Sequence, residues 1–513
     1  MDEKVRNNYY STTSIYNNLC GNQSQGRIEN STTFRKEFSK YDINKHTILP
    51  GQNCKWDRNN CAGIPLDFDE SKQIVYCDGS DAHSMLIGST GSKKSRLVVM
   101  PTVHVLSAAG ESMIICDPKA EIYKRTSGVL KSNGYEVNVV NLREPEKGDS
   151  WNLLSIPYKL FKDGEIDKAC AFINDATVNL IPLNSKDPYW DYSARDLLFG
   201  LILLVFEFCK DHDISEDSVN ISTVLKLRKE LFSSTLTERI KTNKIWIYAE
   251  KFNLVTSRLI GIVICPSNTM ACILSTFDQH MSCFLMQPQI IDLLSSTSID
   301  VDNIGFNKRA IFLIMPDEKS TFHKLITVFV KQIYELFIDI SYKTCKDGKF
   351  PIRINFILDE FSSLPTISDF PQMITASRSR NIRFILVAQS KHQLKERYGE
   401  EAETIQSNCT NWLFLTSREV ELLREISALA GDKNKEPLIS VSKLQHLNKD
   451  KGECLIFSGR LYPYFSTLAD IEKYDNNKYE ELIVETRKRI ILKEWSFHDY
   501  LNSEDDSINL QNI

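Results

Sequence analysis

Long apolar runs are missing from this chain. Across 513 residues no stretch approaches the roughly 18 to 20 apolar residues needed to cross a bilayer. The longest, Leu197 to Phe206, is interrupted by Gly200 and reads as a buried helix. The chain opens on the polar stretch MDEKVRNNYYSTTS, which lacks the apolar centre of a secretory signal, so a cytoplasmic protein is expected. The 13 cysteines include no CxxC pair, and their odd number argues for reduced thiols rather than a disulfide framework. The nine histidines lie far apart without HExxH or Cys/His ligand spacing, which removes a zinc site from consideration. A basic excess is also lacking: 62 Lys and Arg stand against 67 Asp and Glu, for a net charge of −5. Any nucleic-acid contact must therefore come from a local patch or from a pore formed on assembly. No fixed-period repeat is present.

What remains is ordinary globular composition, 42% hydrophobic and 25% charged, with length enough for one large or two to three modest domains. Residues 1–72 are rich in Asn, Ser, Thr and Tyr and are expected to form a partly ordered leader. From residue 73 the pattern changes to short apolar runs alternating with helical stretches, as in Ser84–Ile87, Ser112–Cys116 and Val137–Val140. Strands return at Ala310–Met315, Ile354–Leu358, Phe384–Ala388, Trp412–Leu415 and Glu453–Phe457. Such alternation predicts an α/β fold with a mostly parallel sheet covered on both faces, built from residues 73–154 and 305–472. Between them, 155–304 shows helical spacing and reads as an all-helical insertion. Residues 473–513 read as a charged tail, in which Glu504, Asp505 and Asp506 form either a solvated terminus or a patch for a basic partner.

Two motifs carry chemistry. Gly88-Ser-Thr-Gly-Ser-Lys-Lys-Ser95 follows one strand and precedes the apolar stretch Leu97–Leu106, the strand-loop-helix setting of a phosphate loop. Counted from Gly88, Lys94 and Ser95 occupy the lysine and hydroxyl positions of GxxxxGK[ST], where they would meet the β/γ-phosphates and Mg2+ of ATP. Backbone amides from Thr90 through Gly91, Ser92 and Lys93 to Lys94 would cradle phosphate oxygens. Position 93 departs from the motif, because lysine replaces a glycine whose missing Cβ lets backbone approach phosphate. Nucleotide binding is expected; fast hydrolysis is not assured. Downstream, the apolar run Ile354–Leu358 ends in Asp359-Glu360, the carboxylate pair that holds Mg2+ and orients attacking water in a Walker B strand. Read alone, the first motif is equally a solvated turn, and the second a strand capped by surface acids. Their joint occurrence, in order and at strand ends, argues for one site. Gln389 ends the next strand and could sense the γ-phosphate. Arg378 and Arg380 lie ahead of that strand, either on a solvated helix face or at a subunit edge.

With these residues in view, the chain resembles the type IV secretion coupling proteins, the TraG-like conjugative DNA-transfer ATPases. The resemblance runs from about Ser84 to Phe457 through Gly88–Ser95, Cys116–Lys124, Trp151–Leu154, Asp187–Leu198, Ala310–Lys319, and Ile357–Ile382 followed by Leu386–Ser390. It implies a RecA-like P-loop domain with an all-helical domain at the mouth of a hexameric ring. ATP and Mg2+ would be its cofactors. DNA, a relaxase or other secreted protein substrate, and a secretion-channel or membrane-anchor protein would be its partners. Residue by residue, it implies Lys94 and Ser95 as phosphate and magnesium contacts, Asp359 and Glu360 as the Walker B pair, Gln389 as sensor, and Arg378 as an arginine acting in trans. Asp117 and Lys119 match its DPKxE segment, with Ala120 in place of the usual glycine. Members of the family typically begin with two transmembrane helices, which this sequence does not show. Two alternatives stay open: a catalytically weakened pseudo-ATPase receptor, and a DNA-translocating ATPase of a non-conjugative or defence system.

Overall fold

The computed structural model describes residues 26–49, 61–183, 185–233, 240–285, 287–318, 322–475, 478–488 and 496–502. Its centre is a nine-stranded sheet. In chain order, a small N-terminal sheet supplies β1 (Ser39–Asp42), β2 (Thr47–Leu49), β3 (Pro65–Asp69) and β4 (Ile74–Cys77). The main sheet is built from β5 (His83–Ile87), β6 (Ser112–Asp117), β7 (Glu136–Asn141), β8 (Arg309–Ile314), β9 (Ile354–Leu358), β10 (Ile382–Ala388) and β11 (Cys409–Phe414). After the short ladder of β12 (Asp432–Lys433) and β13 (Glu436–Pro437), β14 (Glu453–Ser458) and β15 (Tyr464–Thr467) complete it. The spatial order is β15-β14-β11-β5-β10-β9-β6-β8-β7. Every neighbouring pair from β11 to β7 is parallel, and β14 and β15 close one edge antiparallel. A parallel sheet must be covered on both faces, and alternate residues of β6 serve two cores. Met113 and Ile115 face the helix Met100–Ala109 and the N-terminal sheet, whereas Ile114 and Cys116 face the core shared with the helical domain.

Helices from Ser155 to Leu293 make up the inserted domain, with no strand between β7 and β8 among the described residues. Entry is fixed by Trp151–Leu154. The Trp151 amide donates to Leu293 O at 2.9 Å, its indole meets Phe329 edge-on at 4.9 Å, and Asn152 Nδ2 donates to Val219 O at 2.7 Å. The helix Pro188–Asp211 starts on Asp187, whose carboxylate accepts the Tyr189 amide, with Pro188 in the first turn where no amide partner is needed. Buried Asp191 accepts from the Ser185 amide and hydroxyl and meets His280 at 3.1 Å, tying this helix to Ser267–Leu285. Gly200 interrupts the apolar run for a steric reason. A Cβ there would stand 2.5 Å from Leu259, so glycine lets the helix Asn253–Val263 approach. No single helix among the described residues is long and apolar enough to cross a membrane.

The segments flanking the main sheet also fold where described. Residues 26–49 and 61–72, from the leader expected to be partly ordered, form together with 73–77 a helix and the antiparallel sheet β2-β1-β4-β3. This sheet packs on the edge strand: Phe34 stacks on Tyr464 at 4.0 Å, while Asp67 accepts from Arg35, Tyr464 and Ser466. Its strands run three to five residues, too short for a clear period-two pattern. The tail is also ordered where described. Residues 478–488 run over the strand-bearing domain, Arg487 reaches Pro145 O at 2.7 Å and Asp292 at 3.1 Å, and Phe497 docks on Phe208 at 4.8 Å in the helical domain. The acidic triplet at 504–506 lies outside the described residues.

Beneath the strands, at the N-terminal end of the parallel sheet, Arg383 is buried. It donates to Glu111 Oε2 at 3.1 Å, Asn355 Oδ1 at 2.8 Å, and the carbonyls of Ala62, Asp78 and Ser80. Arg353 also reaches Glu111, at 3.4 Å. Removing one partner of a buried ion pair strands the other charge. Arg383→Met is therefore expected to destabilise the protein by about 3–5 kcal/mol in urea unfolding; unchanged stability would show the network to be dispensable.

Candidate functional site

Register builds the site. Ala388 pairs with Ile87, so Gln389 emerges beside Gly88; Cys116 pairs with Leu358, so Asp117 emerges beside Asp359. Four neighbouring strands, β5, β10, β9 and β6, thus deliver Gly88, Gln389, Asp359 and Asp117 in a row at their C-terminal ends, where open α/β sheets bind ligands. The cleft above them encloses about 260 Å³ and is lined by residues of 90–96, 117–122, 359–360 and 389.

The loop after β5 retains the conformation that a glycine-bearing phosphate loop needs. At Gly88 a Cβ would lie 2.6 Å from Ser92 Oγ, so the tight first turn excludes other residues. Gly91 has φ 76° and Lys93 has φ 64°, both left-handed. For lysine this conformation costs about 1–2 kcal/mol, since Cβ crowds the following carbonyl. The loop therefore keeps its shape at the expense of strain at one residue. The Lys93 ammonium pairs with Asp450 Oδ1 at 2.7 Å, and Lys449 Nζ donates to Gly91 O at 3.0 Å. Lys94 is buried and donates to Gly88 O at 2.5 Å and Ser89 O at 3.2 Å. Burial lowers its pKa, against the pull of Asp359 and Glu360. The buried Ser92 hydroxyl has no hydrogen-bond partner among the described residues.

Facing the loop, Ser95 Oγ donates to Asp359 Oδ2 at 3.3 Å. Burial, then the neighbouring Glu360, pushes the Asp359 carboxyl up to about 6. Glu360 sits at φ 55°, which turns the chain sharply out of β9. Thr90 Oγ1 donates to Gln389 Oε1 at 2.9 Å, and Gln389 Nε2 donates to Glu360 Oε1 at 3.0 Å. This relay joins the phosphate loop to Gln389 at the end of β10 and Glu360 at the end of β9. Asp117, whose chemistry the sequence left undefined, lines the cleft; its Oδ2 accepts the Tyr123 amide at 2.7 Å, and burial pushes its pKa up to about 7. Ala120, at φ 59°, keeps the left-handed turn that glycine would hold in the DPKxE segment. Two buried carboxylates beside a serine hydroxyl are hard oxygen donors that suit Mg2+, which keeps part of its water shell. Ser95 and Asp359 are its candidate ligands, with Asp117 adjacent.

Arg378 is not in this cleft. It precedes β10, at the opposite end of that strand from Gln389, and pairs with Asp81 at 3.0 Å. Arg380 bonds its own turn through Ala376 O and Ser379. The sequence reading did not anticipate Lys449, Asp450, Arg96, Pro118, Glu121 or Ile122 at the site. Arg96 directly follows Ser95, whereas folding brings the 117–122 segment and Lys449 and Asp450 to the loop.

A Walker-type loop after β5 and a carboxylate pair after β9, on parallel strands separated by β10, together with an inserted helical domain, define a RecA-like P-loop nucleotide-binding fold. The family model for type IV secretory system conjugative DNA transfer matches residues 31–449, and the chain belongs to that family. Conjugal transfer protein TraG of Agrobacterium fabrum is 22% identical over 412 residues, 77% of this chain and 59% of that protein. Its namesake in Rhizobium radiobacter is 22% identical over 399 residues, 75% of this chain and likewise 59% of the relative. The chain thus spans about three-fifths of the length of these relatives. Among solved structures, the plasmid coupling protein TrwB in complex with a non-hydrolysable ATP analogue superposes with a TM-score of 0.59 at 13% identity, covering 91% of this chain and 98% of that one. TrwB with ADP and Mg2+ gives 0.56 at 15% identity, covering 80% and 87%.

The two raised carboxyls set a pH dependence. Asp117 and Asp359 titrate at about 7 and 6 when folded, above the usual 3.8, so the folded chain holds more protons than the unfolded one between those values. Stability of the ligand-free protein is therefore greatest below pH 4 in this contribution and is lost as pH rises towards 7. Asp359→Asn is expected to raise the ligand-free Tm at pH 7.5 and to flatten its change between pH 5 and 7.5; a variant Tm below the parent's at pH 7.5 would contradict this.

Proposed function

We propose that the chain is an ATP-driven DNA-transfer motor of the coupling type. It binds ATP with Mg2+ and works as a homo-hexamer. It moves DNA and presents a relaxase-linked or other protein substrate to a secretion channel, at the cytoplasmic face of a membrane through an anchoring partner. The observation that carries the reading is the Thr90-Gln389-Glu360 relay beside the Ser95–Asp359 pair, because it couples the phosphate loop to the carboxylates that hydrolysis would use. TraG supports it by name, and TrwB by the nucleotides in its complexes.

In this reading Lys94 leaves the carbonyls of Gly88 and Ser89 for the β- and γ-phosphates. The amides of residues 90–94 take phosphate oxygens, each stronger for the low dielectric of the cleft. Mg2+, held by Ser95 and Asp359, would neutralise phosphate charge. Glu360 holds the attacking water and accepts its proton, while Gln389, which already holds the Glu360 carboxylate without nucleotide, would hydrogen-bond the γ-phosphate or the water and report its loss. Arg378 stands at the far end of β10 from its own cleft, so it reaches nucleotide only across a subunit boundary, where it would offset charge on the transferring phosphoryl group.

A second reading rests on Lys93. A strained lysine in the phosphate loop suits a receptor that binds nucleotide and turns it over slowly. The test is Mg2+-dependent ATP hydrolysis with and without single- and double-stranded DNA. A motor shows DNA-stimulated turnover that Glu360→Gln lowers about 100-fold or more. No turnover above that variant, in a folded protein that binds nucleotide, would leave the receptor reading, which Lys93→Gly would then convert to an active enzyme.

A further inference from the structure

Lysine at position 93 raises a question that the site alone does not answer: what keeps its ammonium out of the phosphate cradle. The cleft holds Asp359 and Glu360, whose field attracts any nearby cation, and Lys94 already feels it. An unrestrained Lys93 has a motive to fold inward and occupy the place of the phosphates. Its left-handed backbone, at φ 64°, also has a motive to relax, because glycine alone is at ease there.

One turn outside the loop opposes both. Residues 448–451 precede β14 and are folded on themselves: Asn448 Oδ1 accepts the amides of Asp450 at 3.0 Å and Lys451 at 3.2 Å, and Glu453 accepts the Asn448 amide at 2.9 Å. From this turn Lys449 Nζ grips the Gly91 carbonyl at 3.0 Å, and the next residue, Asp450, holds the Lys93 ammonium at 2.7 Å. The two contacts meet alternate residues of the phosphate loop and flank Ser92. The Asp450 side chain is 73% exposed and that of Lys93 31%, so the pair adds little to overall stability. Its effect lies in loop geometry, where it opposes relaxation of a left-handed lysine.

We propose that Lys449 and Asp450 are positioning residues that strap the glycine-deficient phosphate loop into its nucleotide-accepting shape, Asp450 by drawing Lys93 outward and Lys449 by fixing Gly91. The loop and its strap compensate one another: the Asp450 contact matters because position 93 is lysine. The inference rests on the nucleotide-binding reading for its consequence, and on the loop contacts alone for its mechanism.

The experiment is a double-mutant cycle between Lys93→Gly and Asp450→Ala in the full chain, with two readouts. Amide hydrogen exchange of residues 88–96 in the ligand-free protein reports the strap without nucleotide, and titration with Mg-ADPNP reports its consequence. With Lys93 present, Asp450→Ala should speed exchange of the loop and weaken Mg-ADPNP roughly fivefold. In the Lys93→Gly background the same change should leave both readouts within about twofold. Asp450→Glu should retain most of the parent's behaviour, and Lys449→Ala should speed loop exchange in both backgrounds, since Gly91 is present in each. Equal effects of Asp450→Ala in the two backgrounds, or none in either, overturn the strap. If the parent binds no Mg-ADPNP while the exchange coupling is present, the nucleotide reading fails and the strap stands.

Discussion

Side-by-side parallel pairing of β5, β10, β9 and β6 is the constraint on which the rest of the molecule depends. Because these strands are parallel and in register, their C-terminal ends deliver a glycine, a glutamine and two aspartates to one rim. A slip of one residue would send every side chain of a strand to the opposite face and break both the cores and the rim. Towards that rim each strand is apolar, and its cleft residue is the last of the strand in β6 and the next one after it in β5, β10 and β9.

The opposite ends of the same strands are tied down by charge. Arg383, Arg353 and Glu111 form a buried network that gathers carbonyls from the connection to the N-terminal sheet. A buried network of this kind is stable only when each member is satisfied, so it fixes one arrangement rather than merely adding attraction. The sheet is thus clamped at its base while its rim carries residues in strained left-handed turns: Lys93, Ala120 and Glu360. Rigid support below and strain above is the distribution expected where backbone shape serves a ligand. The C-terminal segment extends the coupling, since Asp470 and Glu472 pair with Arg96 just beyond Ser95, and Phe497 ends on the helical domain.

The main-sheet strands were legible because parallel strands buried on both faces read as uninterrupted apolar runs; those at Ala310, Ile354 and Phe384 fall within a residue or two of β8, β9 and β10. The two motifs were legible because phosphate chemistry fixes spacing along the chain. The strand-end position marked Gln389; the resemblance added the DPKxE segment, to which the fold gives a place on the cleft wall. The N-terminal sheet escaped notice because strands of three to five residues are held by Phe34, Asp67 and Tyr464, partners some 400 residues apart. Lys449 and Asp450 escaped for a similar reason: nothing local in the sequence marks a turn that acts on a loop 358 residues away. Lys93 was visible as a departure, but only the fold shows that the chain retains the glycine's conformation rather than abandoning it.

In the proposed function, the phosphate loop accepts nucleotide with a lysine in the glycine position. The most direct measurement is an experimental structure of the full chain with Mg-ADPNP. Phosphates are expected in the cleft, with Lys94 Nζ moved from the Gly88 and Ser89 carbonyls to the β- and γ-phosphates and Lys93 still left-handed with its ammonium on Asp450. A loop collapsed across an empty cleft, or the Lys93 ammonium standing where the phosphates belong, would contradict it.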